Sequence, residues 1–219
     1  MQQSIGAPEI LNFSDLTGVQ GYCSDEAAVE IRRRISAYSP HGIHFLDSGN
    51  YHYLSRFWLE KIEEPFDLLV FDHHTDMQRS AFGDILSCGS WILSVIESNP
   101  FLNKVCLLGA DPAFRNTIDP ACEGKYIWAE QETPVLPEGK LPLYISIDKD
   151  VLAKDELDTD WDQGTMTVEE MMLYLSHVKK ERKILGVDIC GEPEADHAAD
   201  EELKKSCRIN EMICSMFTG

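Results

Sequence analysis

The sequence predicts an α/β domain of three layers, with a mostly parallel sheet between two layers of helices. Three observations predict it. Short continuous apolar runs, residues 68–71 and 143–145 foremost, alternate with segments of helical spacing, and a strand buried on both faces reads as such a run. Alternation of strand and helix places the crossovers on both faces of a parallel sheet. The 219 residues, 43% of them hydrophobic, suffice for one substantial core, and no internal repeat, low-complexity tract or linker divides them. One domain over 1–219 is therefore expected.

In chain order, residues 9–13 are expected as an edge or first strand. Ser24 is placed to cap a helix over 24–37, with Asp25 and Glu26 in its first turn, where they face the positive end of the helix dipole. Pro40 and Gly42 break the chain before a short strand at 43–46. Residues 51–62 carry Leu54, Phe57, Trp58 and Ile62 at helical spacing. Pro65 separates this helix from a strand at 68–71. A helix over 85–97 ends ahead of Pro100, because the residue before proline is pushed out of the helical region. The next strand is 104–108, followed by the turn Gly109-Ala110-Asp111-Pro112. Residues 114–142 are the least regular, with four prolines and one short strand at 126–128. After a strand ending at Asp148, a polar loop runs through Gly164. Thr167 and Glu170 form a capping box that opens a helix to Lys180. A strand at 184–189 and a helix over 198–217 close the chain.

Composition narrows the function. Formal charge is −19 with a pI of 4.6, which argues against a nucleic-acid partner, since phosphate backbones require a surplus of Lys and Arg. No apolar stretch approaches the length of a bilayer span, and Met1-Gln2-Gln3-Ser4 has neither a basic start nor an apolar signal core. Seven cysteines, at 23, 88, 106, 122, 190, 207 and 214, are scattered without a C-x-x-C pair. That argues against a zinc knuckle or thioredoxin-type site, and free thiols in a reducing cytoplasm account for them. A small-molecule substrate is the partner class that remains; a homo-oligomer is left open.

Three segments carry the chemistry: Gly49-Asn50-Tyr51-His52, Asp72-His73-His74-Thr75-Asp76 and Ser146-Ile147-Asp148-Lys149-Asp150. Each reads as a strand end, and in open α/β sheets ligands bind beyond the carboxyl ends of the strands. Alternate residues past a strand share a side, so Asp72, His74 and Asp76 are expected to converge while His73 points elsewhere. Carboxylates and imidazoles in this arrangement suit a cluster of hard or borderline divalent cations. Trp58 and Trp91 read as core, and Arg32-Arg33-Arg34 as a solvated helix face.

At these residues the chain resembles the arginase/agmatinase (ureohydrolase) family, which shares its fold with the histone deacetylases. Ser48 to His52 is similar to the family's glycine-rich turn ending in a ligand histidine. Asp72 to Asp76 matches D-A-H-x-D, and Ser146 to Asp150 matches S-x-D-x-D. Gln163-Gly164-Thr165-Met166-Thr167 and Gly186-Val187-Asp188-Ile189 extend the likeness, which runs from residue 43 to the end. The resemblance implies an arginase/deacetylase-like fold and two manganese ions per chain. One would be held by His52, Asp72, Asp76 and Asp148, the other by Asp72, His74, Asp148 and Asp150. A hydroxide bridging the two would attack an sp² carbon bound to nitrogen, with Asp76 orienting it by accepting its proton. The ligands alone leave Zn, Fe and Co open. The implied activity is manganese-dependent hydrolysis of a non-peptide C–N bond in a guanidino or amide compound. A metal-binding domain without catalysis and a deacetylase-like amidohydrolase are the alternatives.

Three departures from the family pattern bear on this. Where the family has a proton-shuttling histidine, this chain has Cys88, to be read as a shuttle or as a buried inert thiol. Gly191 stands where the guanidinium-pairing glutamate is expected, three residues after Asp188. Glu192 substitutes only if the chain turns there, which Gly191 and Pro193 permit. The loop that recognises the amino-acid end of arginine is reduced to Gly109-Ala110-Asp111-Pro112. Arginine itself is thus expected to be a poor substrate.

Overall fold

The computed structural model describes residues 9–80, 83–129 and 136–218. Its centre is a six-stranded, all-parallel sheet. The strands are β2 (Ile43–Phe45), β3 (Phe66–Phe71), β5 (Leu102–Leu108), β6 (Tyr126–Ala129), β7 (Leu143–Asp148) and β8 (Ile184–Cys190), in the spatial order β2-β8-β7-β3-β5-β6. A separate antiparallel pair joins β1 (Tyr22–Cys23) to β4 (Leu86–Ser87).

Every residue of β3 and β7 is buried, as the apolar runs 68–71 and 143–145 within them lead one to expect, and the pleat divides their apolar side chains between two cores. Phe66, Leu68, Val70 and Tyr144 pack with α1 (Asp25–Ile35), α2 (Leu54–Leu59) and α3 (Trp91–Ser98). Leu69, Phe71, Ile145 and Ile147 pack with α4 (Val168–Glu181) and α5 (Asp200–Thr218). This is the expected three-layer α/β/α arrangement. Each fully buried aliphatic or aromatic side chain contributes roughly 1.5–3 kcal/mol, so the two central strands form the rigid frame from which the site projects. At the opposite end of β3, buried Asp67 pairs with Arg182, which also donates to the carbonyls of Leu141 at 2.7 Å and Gly139 at 3.1 Å.

Local signals hold where capping chemistry was explicit. Ser24 Oγ accepts from the Ala27 amide at 3.2 Å, and Thr167 with Glu170 closes the capping box of α4. Three expectations need correction. Residues 9–13 form no strand; Leu11 and Phe13 pack against the first core, and Phe13 O closes a turn by accepting from Leu16 N at 3.0 Å. The helix expected over 85–97 starts at Trp91, because Leu86–Ser87 pairs with β1 and Ser87 closes its own capping box with Ser90 over a 3-10 turn. The helix expected over 51–62 splits into a 3-10 turn at Gly49–Tyr51 and the short α2.

From β3 the chain moves outward through β5 and β6, then returns to β7 on the other side and continues to β8. The connections therefore diverge between β3 and β7. Ligand crevices form at such a switch point, beyond the carboxyl ends of the strands. Asp72 follows β3 and Asp148 ends β7.

Candidate metal centre

Three stretches of chain deliver buried carboxylates and imidazoles to that crevice. Asp72 leaves β3 directly. The next residues are bent rather than extended: the His74 amide donates to Asp72 Oδ1 at 2.6 Å, and Asp76 lies in the left-handed region at φ 49°. Asp72, His74 and Asp76 thus converge by a turn, not by the pleat the D-x-H-x-D spacing suggested. Asp148 caps a 3-10 turn over Lys149–Val151, its Oδ1 accepting from the Asp150 amide at 3.1 Å. His52 sits at the end of the Gly49–Tyr51 turn instead of at a strand end.

Two interlocking ligand sets result. His52, Asp72 and Asp76 offer donor atoms all within 4.8 Å of one another, as do Asp72, His74 and Asp150. Asp72 is common to both. His52 Nδ1 stands 3.3 Å from Asp72 Oδ2, 3.1 Å from Asp76 Oδ2 and 3.4 Å from Asp148 Oδ2, and His74 Nδ1 is 2.9 Å from Asp150 Oδ2. The structure therefore assembles all six residues of the sequence-derived ligand set. Five fall within the two groups, and the sixth, Asp148, lies against His52.

The surroundings aim these atoms. His52 Nε2 is 2.9 Å from Ser146 Oγ, and Ser55 Oγ lies 3.2 Å from the same hydroxyl. Such a contact leaves Nδ1 free to face the carboxylates. The Trp91 indole N–H donates to Asp76 Oδ2 at 2.6 Å, so this core tryptophan also orients a carboxylate of the cluster. The His73 amide donates to Asp150 Oδ1 at 3.0 Å, while the His73 ring turns away and meets Phe114 edge-on.

Charge crowding shapes the titration of the whole group. Burial raises Asp76, and the Asp72 charge adds to it, bringing it to about 7. Burial and the neighbouring Asp150 push Asp148 to about 8. Burial and Asp72 bring Asp150 to about 7. Burial opposes ionisation of Asp72 too, but the His52 and His74 imidazoles beside it outweigh it and hold its carboxyl low. Burial likewise opposes charge on the imidazoles. Even so, Asp72 and Asp76 raise His52 well above 6.5, and Asp150 with Asp72 carries His74 to about 11. Asp72 Oδ2 is buried without a hydrogen-bond partner. An unpaired buried carboxylate oxygen is costly unless positive charge faces it. The donor set and the mutual repulsion of its carboxylates fit a pair of divalent cations.

Of the three residues expected in catalytic roles, one is engaged elsewhere. Gly191 adopts φ 79° and turns the chain, as anticipated, but the turn sends Glu192 away from the crevice. Its carboxylate meets Lys149 Nζ and Asn210 Nδ2 at 2.5 and 2.7 Å, and Ser206 Oγ as well. Lys149 is fully buried there. Cys88 lies close enough to the cluster to feel the charge of Asp76, yet burial and that charge push its thiol up to about 12. Asp76, the third, lies within the ligand set.

Sequence reasoning missed Trp161 and Phe114. The His74 ring has centroids of Phe114 and Trp161 at 5.2 and 5.7 Å, and Trp161 rests over the backbone of Gly49. A Cβ on Gly49 would stand 2.8 Å from Trp161 Cδ1. The signal available was the glycine before the histidine, which marks a close approach but not its partner.

An uncharacterized protein of Thermotoga maritima is 37% identical over 180 residues, covering 80% of this chain and 67% of its own length. The chain belongs to one family with it. A hypothetical agmatinase from Burkholderia thailandensis superposes with TM-score 0.64 at 15% identity, over 88% of this chain and 64% of that one. Arginase from Medicago truncatula superposes with TM-score 0.66 at 16% identity, over 88% and 66%. This is the arginase fold. The chain spans just under two thirds of these two arginase-fold proteins. No protein-family model matches the chain. Among the described residues, no helix is long and apolar enough to cross a membrane.

Proposed function

We propose that this arginase-fold chain is a divergent ureohydrolase: a manganese-dependent hydrolase of a non-peptide C–N bond in a guanidino or amide compound. The observation that carries the reading is the pair of ligand sets sharing Asp72, whose buried Oδ2 faces His52 without a hydrogen-bond partner. His52, Asp72 and Asp76, with Asp148, would hold one ion. Asp72, His74 and Asp150, with Asp148, would hold the other. A divalent pair in such a site would supply Lewis acidity toward water and toward a heteroatom of the substrate's C–N group.

The chain's own residues do the rest. Trp91 fixes the Asp76 carboxylate, which takes up the proton released as water attacks. Ser146 holds the His52 ring so that Nδ1 stays on the metal side. The side chain of His74 is 18% exposed, against 1–7% for those of His52, Asp72, Asp76, Asp148 and Asp150, so substrate reaches the centre along His74. A metal-reconstituted screen across guanidines, ureas and acyl-amines tests the proposal. Manganese-dependent release of urea or amine is the expected result, and two bound ions without turnover on the panel would overturn it. That outcome would favour a non-catalytic metal-binding domain, the reading to which the engaged Glu192 lends support.

A further inference from the structure

A lysine stands between the two acids of the third ligand segment, and its side chain is fully buried. Lysine is almost never buried completely unless it is paired. The Lys149 ammonium turns toward α5, and each of its three protons has an acceptor: Glu192 Oε1 at 2.5 Å, Ser206 Oγ at 2.5 Å and Asn210 Oδ1 at 3.1 Å. Glu192 is engaged on both oxygens in turn, Asn210 Nδ2 donating to Oε1 at 2.7 Å and Ser206 Oγ to Oε2. Ser206 and Asn210 are four residues apart and share one face of α5, while Ile209 and Ile213 seat the same helix in the second core.

The backbone of Lys149 is confined as closely as its side chain. A Cβ on Gly191 would stand 2.7 Å from the Lys149 amide nitrogen. Leu152 N donates to Lys149 O at 3.1 Å, and Asp150 N donates to Asp148 Oδ1 at 3.1 Å. Any shift of residue 149 therefore carries Asp148 and Asp150 with it. Desolvating an ammonium and a carboxylate offsets much of their attraction, and apolar side chains of similar volume often stabilise as well or better. What the pair adds is direction: charge-assisted hydrogen bonds of set geometry locate the loop where apolar contact would let it slide. The opposite end of the sheet holds a buried pair with no candidate ligand beside it. There Asp67 meets Arg182, and Asn103 Nδ2 donates to Asp67 Oδ1 at 2.8 Å.

We propose that Lys149 is a positioning residue that couples α5 to the metal centre. Docking of α5 through Glu192, Ser206 and Asn210 holds Asp148 and Asp150 in place. Ions bound by those carboxylates hold α5 down to the same extent, because coupling between two sites is reciprocal. The proposal rests on the two-ion reading of the centre and does not depend on turnover.

The test is calorimetric titration of the full chain with manganese, beside thermal denaturation without metal. Replacing both partners, Lys149→Met with Glu192→Gln, should leave the metal-free Tm close to the parent value while weakening manganese about ten- to hundredfold. Asn210→Ala should weaken manganese about fivefold or more. Asn103→Ala, the matched change at the other buried pair, should keep the parent affinity for manganese even where it lowers Tm. Amide exchange over 203–218 should slow about tenfold when manganese is added to the parent and much less in the double variant, with α1 on the other face of the sheet as the reference. Parent-like manganese affinity in the double variant and in Asn210→Ala would overturn the proposal. So would an equal loss of affinity in Asn103→Ala, or manganese slowing exchange in α5 no more than in α1. If the double variant does not fold, Asn210→Ala and the exchange of the parent decide by the same criteria. A parent chain that binds no manganese would overturn the two-ion reading together with the coupling, whereas binding indifferent to these changes would overturn the coupling alone.

Discussion

Replacing Gly191 by alanine tests whether the backbone approach to Asp148 is what builds the centre. Gly191 has φ 79°, and a Cβ there would lie 2.3 Å from Asp148 Oδ1 and 2.7 Å from Lys149 N. Ordinary contact between such heavy atoms is near 3.5 Å, so Asp148 or the Gly191 backbone must move by about 1 Å. Two costs combine. An L side chain in the left-handed region costs roughly 1–2 kcal/mol, and forcing an added methyl into a packed site costs about 1–3 kcal/mol. Together about 2–5 kcal/mol corresponds to a fall in Tm of about 4–20 °C for a domain of this size. The movement falls on a residue of the ligand set, and disturbing the support of a metal ligand typically lowers affinity about ten- to hundredfold.

Thermal denaturation of the metal-free protein reads the first effect, and calorimetric titration with manganese reads the second. Gly124→Ala is the control, because Gly124 has φ 69° but no atom within 4 Å of the added Cβ. It should show only the conformational cost of about 1–2 kcal/mol and no loss of manganese affinity. If Gly191→Ala is no less stable than Gly124→Ala and binds manganese like the parent, the close approach is not what requires glycine at 191.

Other outcomes follow from the same geometry. Elemental analysis after reconstitution should find two manganese ions per chain; Asp72→Ala should deplete both, since Asp72 belongs to both ligand groups, and His52→Ala chiefly one. In the metal-free protein, Asp76, Asp148 and Asp150 have pKa values raised from 3.8 to about 7, 8 and 7. The stability they confer is thus present in acid and lost as pH rises through the folded values; His52 and His74, also raised, act in the same sense above 6.5, and Asp72, held low, acts only in stronger acid. Metal-free Tm should therefore fall between about pH 6 and about pH 8.5, and manganese, whose binding releases protons, should restore more at the upper end; a metal-free Tm that rises over that interval would contradict the assignment. Cys88→Ala should retain turnover within about twofold, because a thiol pushed up to about 12 holds its proton. On arginine, kcat/KM should fall below the usual enzyme range of about 10⁴–10⁸ M⁻¹s⁻¹, and a value inside it would show that Glu192 is not held as described.

The sheet and the ligands were legible because their signals are local and strong. β3 and β7 contain the apolar runs 68–71 and 143–145, and acids in fixed spacing follow closely on each. What stayed hidden depends on contacts distant in sequence. Trp91 reads as core from its helical pattern, and it is fully buried, yet its indole N–H orients Asp76. Ser146 looks like the polar start of a motif, and only the fold shows it beneath His52, ninety-four residues away in the chain. Residues 85–90 carry enough apolar character to extend a helix, but pairing with β1 and the Ser87–Ser90 capping box cost less than continuing it. Trp161 lies in a polar loop with no periodicity at all, where no sequence pattern ties it to Gly49 or His74.

Residues 149, 191 and 192 belong to one arrangement. Gly191 lets the backbone pass against Asp148, and the left-handed turn this requires throws Glu192 to the far side of β8's end. There the carboxylate meets Lys149, whose own position between Asp148 and Asp150 directs its ammonium down toward α5, where Ser206 and Asn210 complete its partners. Removing one member of a buried ion pair costs about 3–5 kcal/mol, so neither Lys149 nor Glu192 can change alone. A glutamate restored at 191 would begin with its Cβ inside the Asp148 carboxylate's contact distance. The turn at Gly191 and the Lys149–Glu192 pair are thus parts of the same packing: the chain holds the loop after β7 to the closing helix with the Glu192 carboxylate.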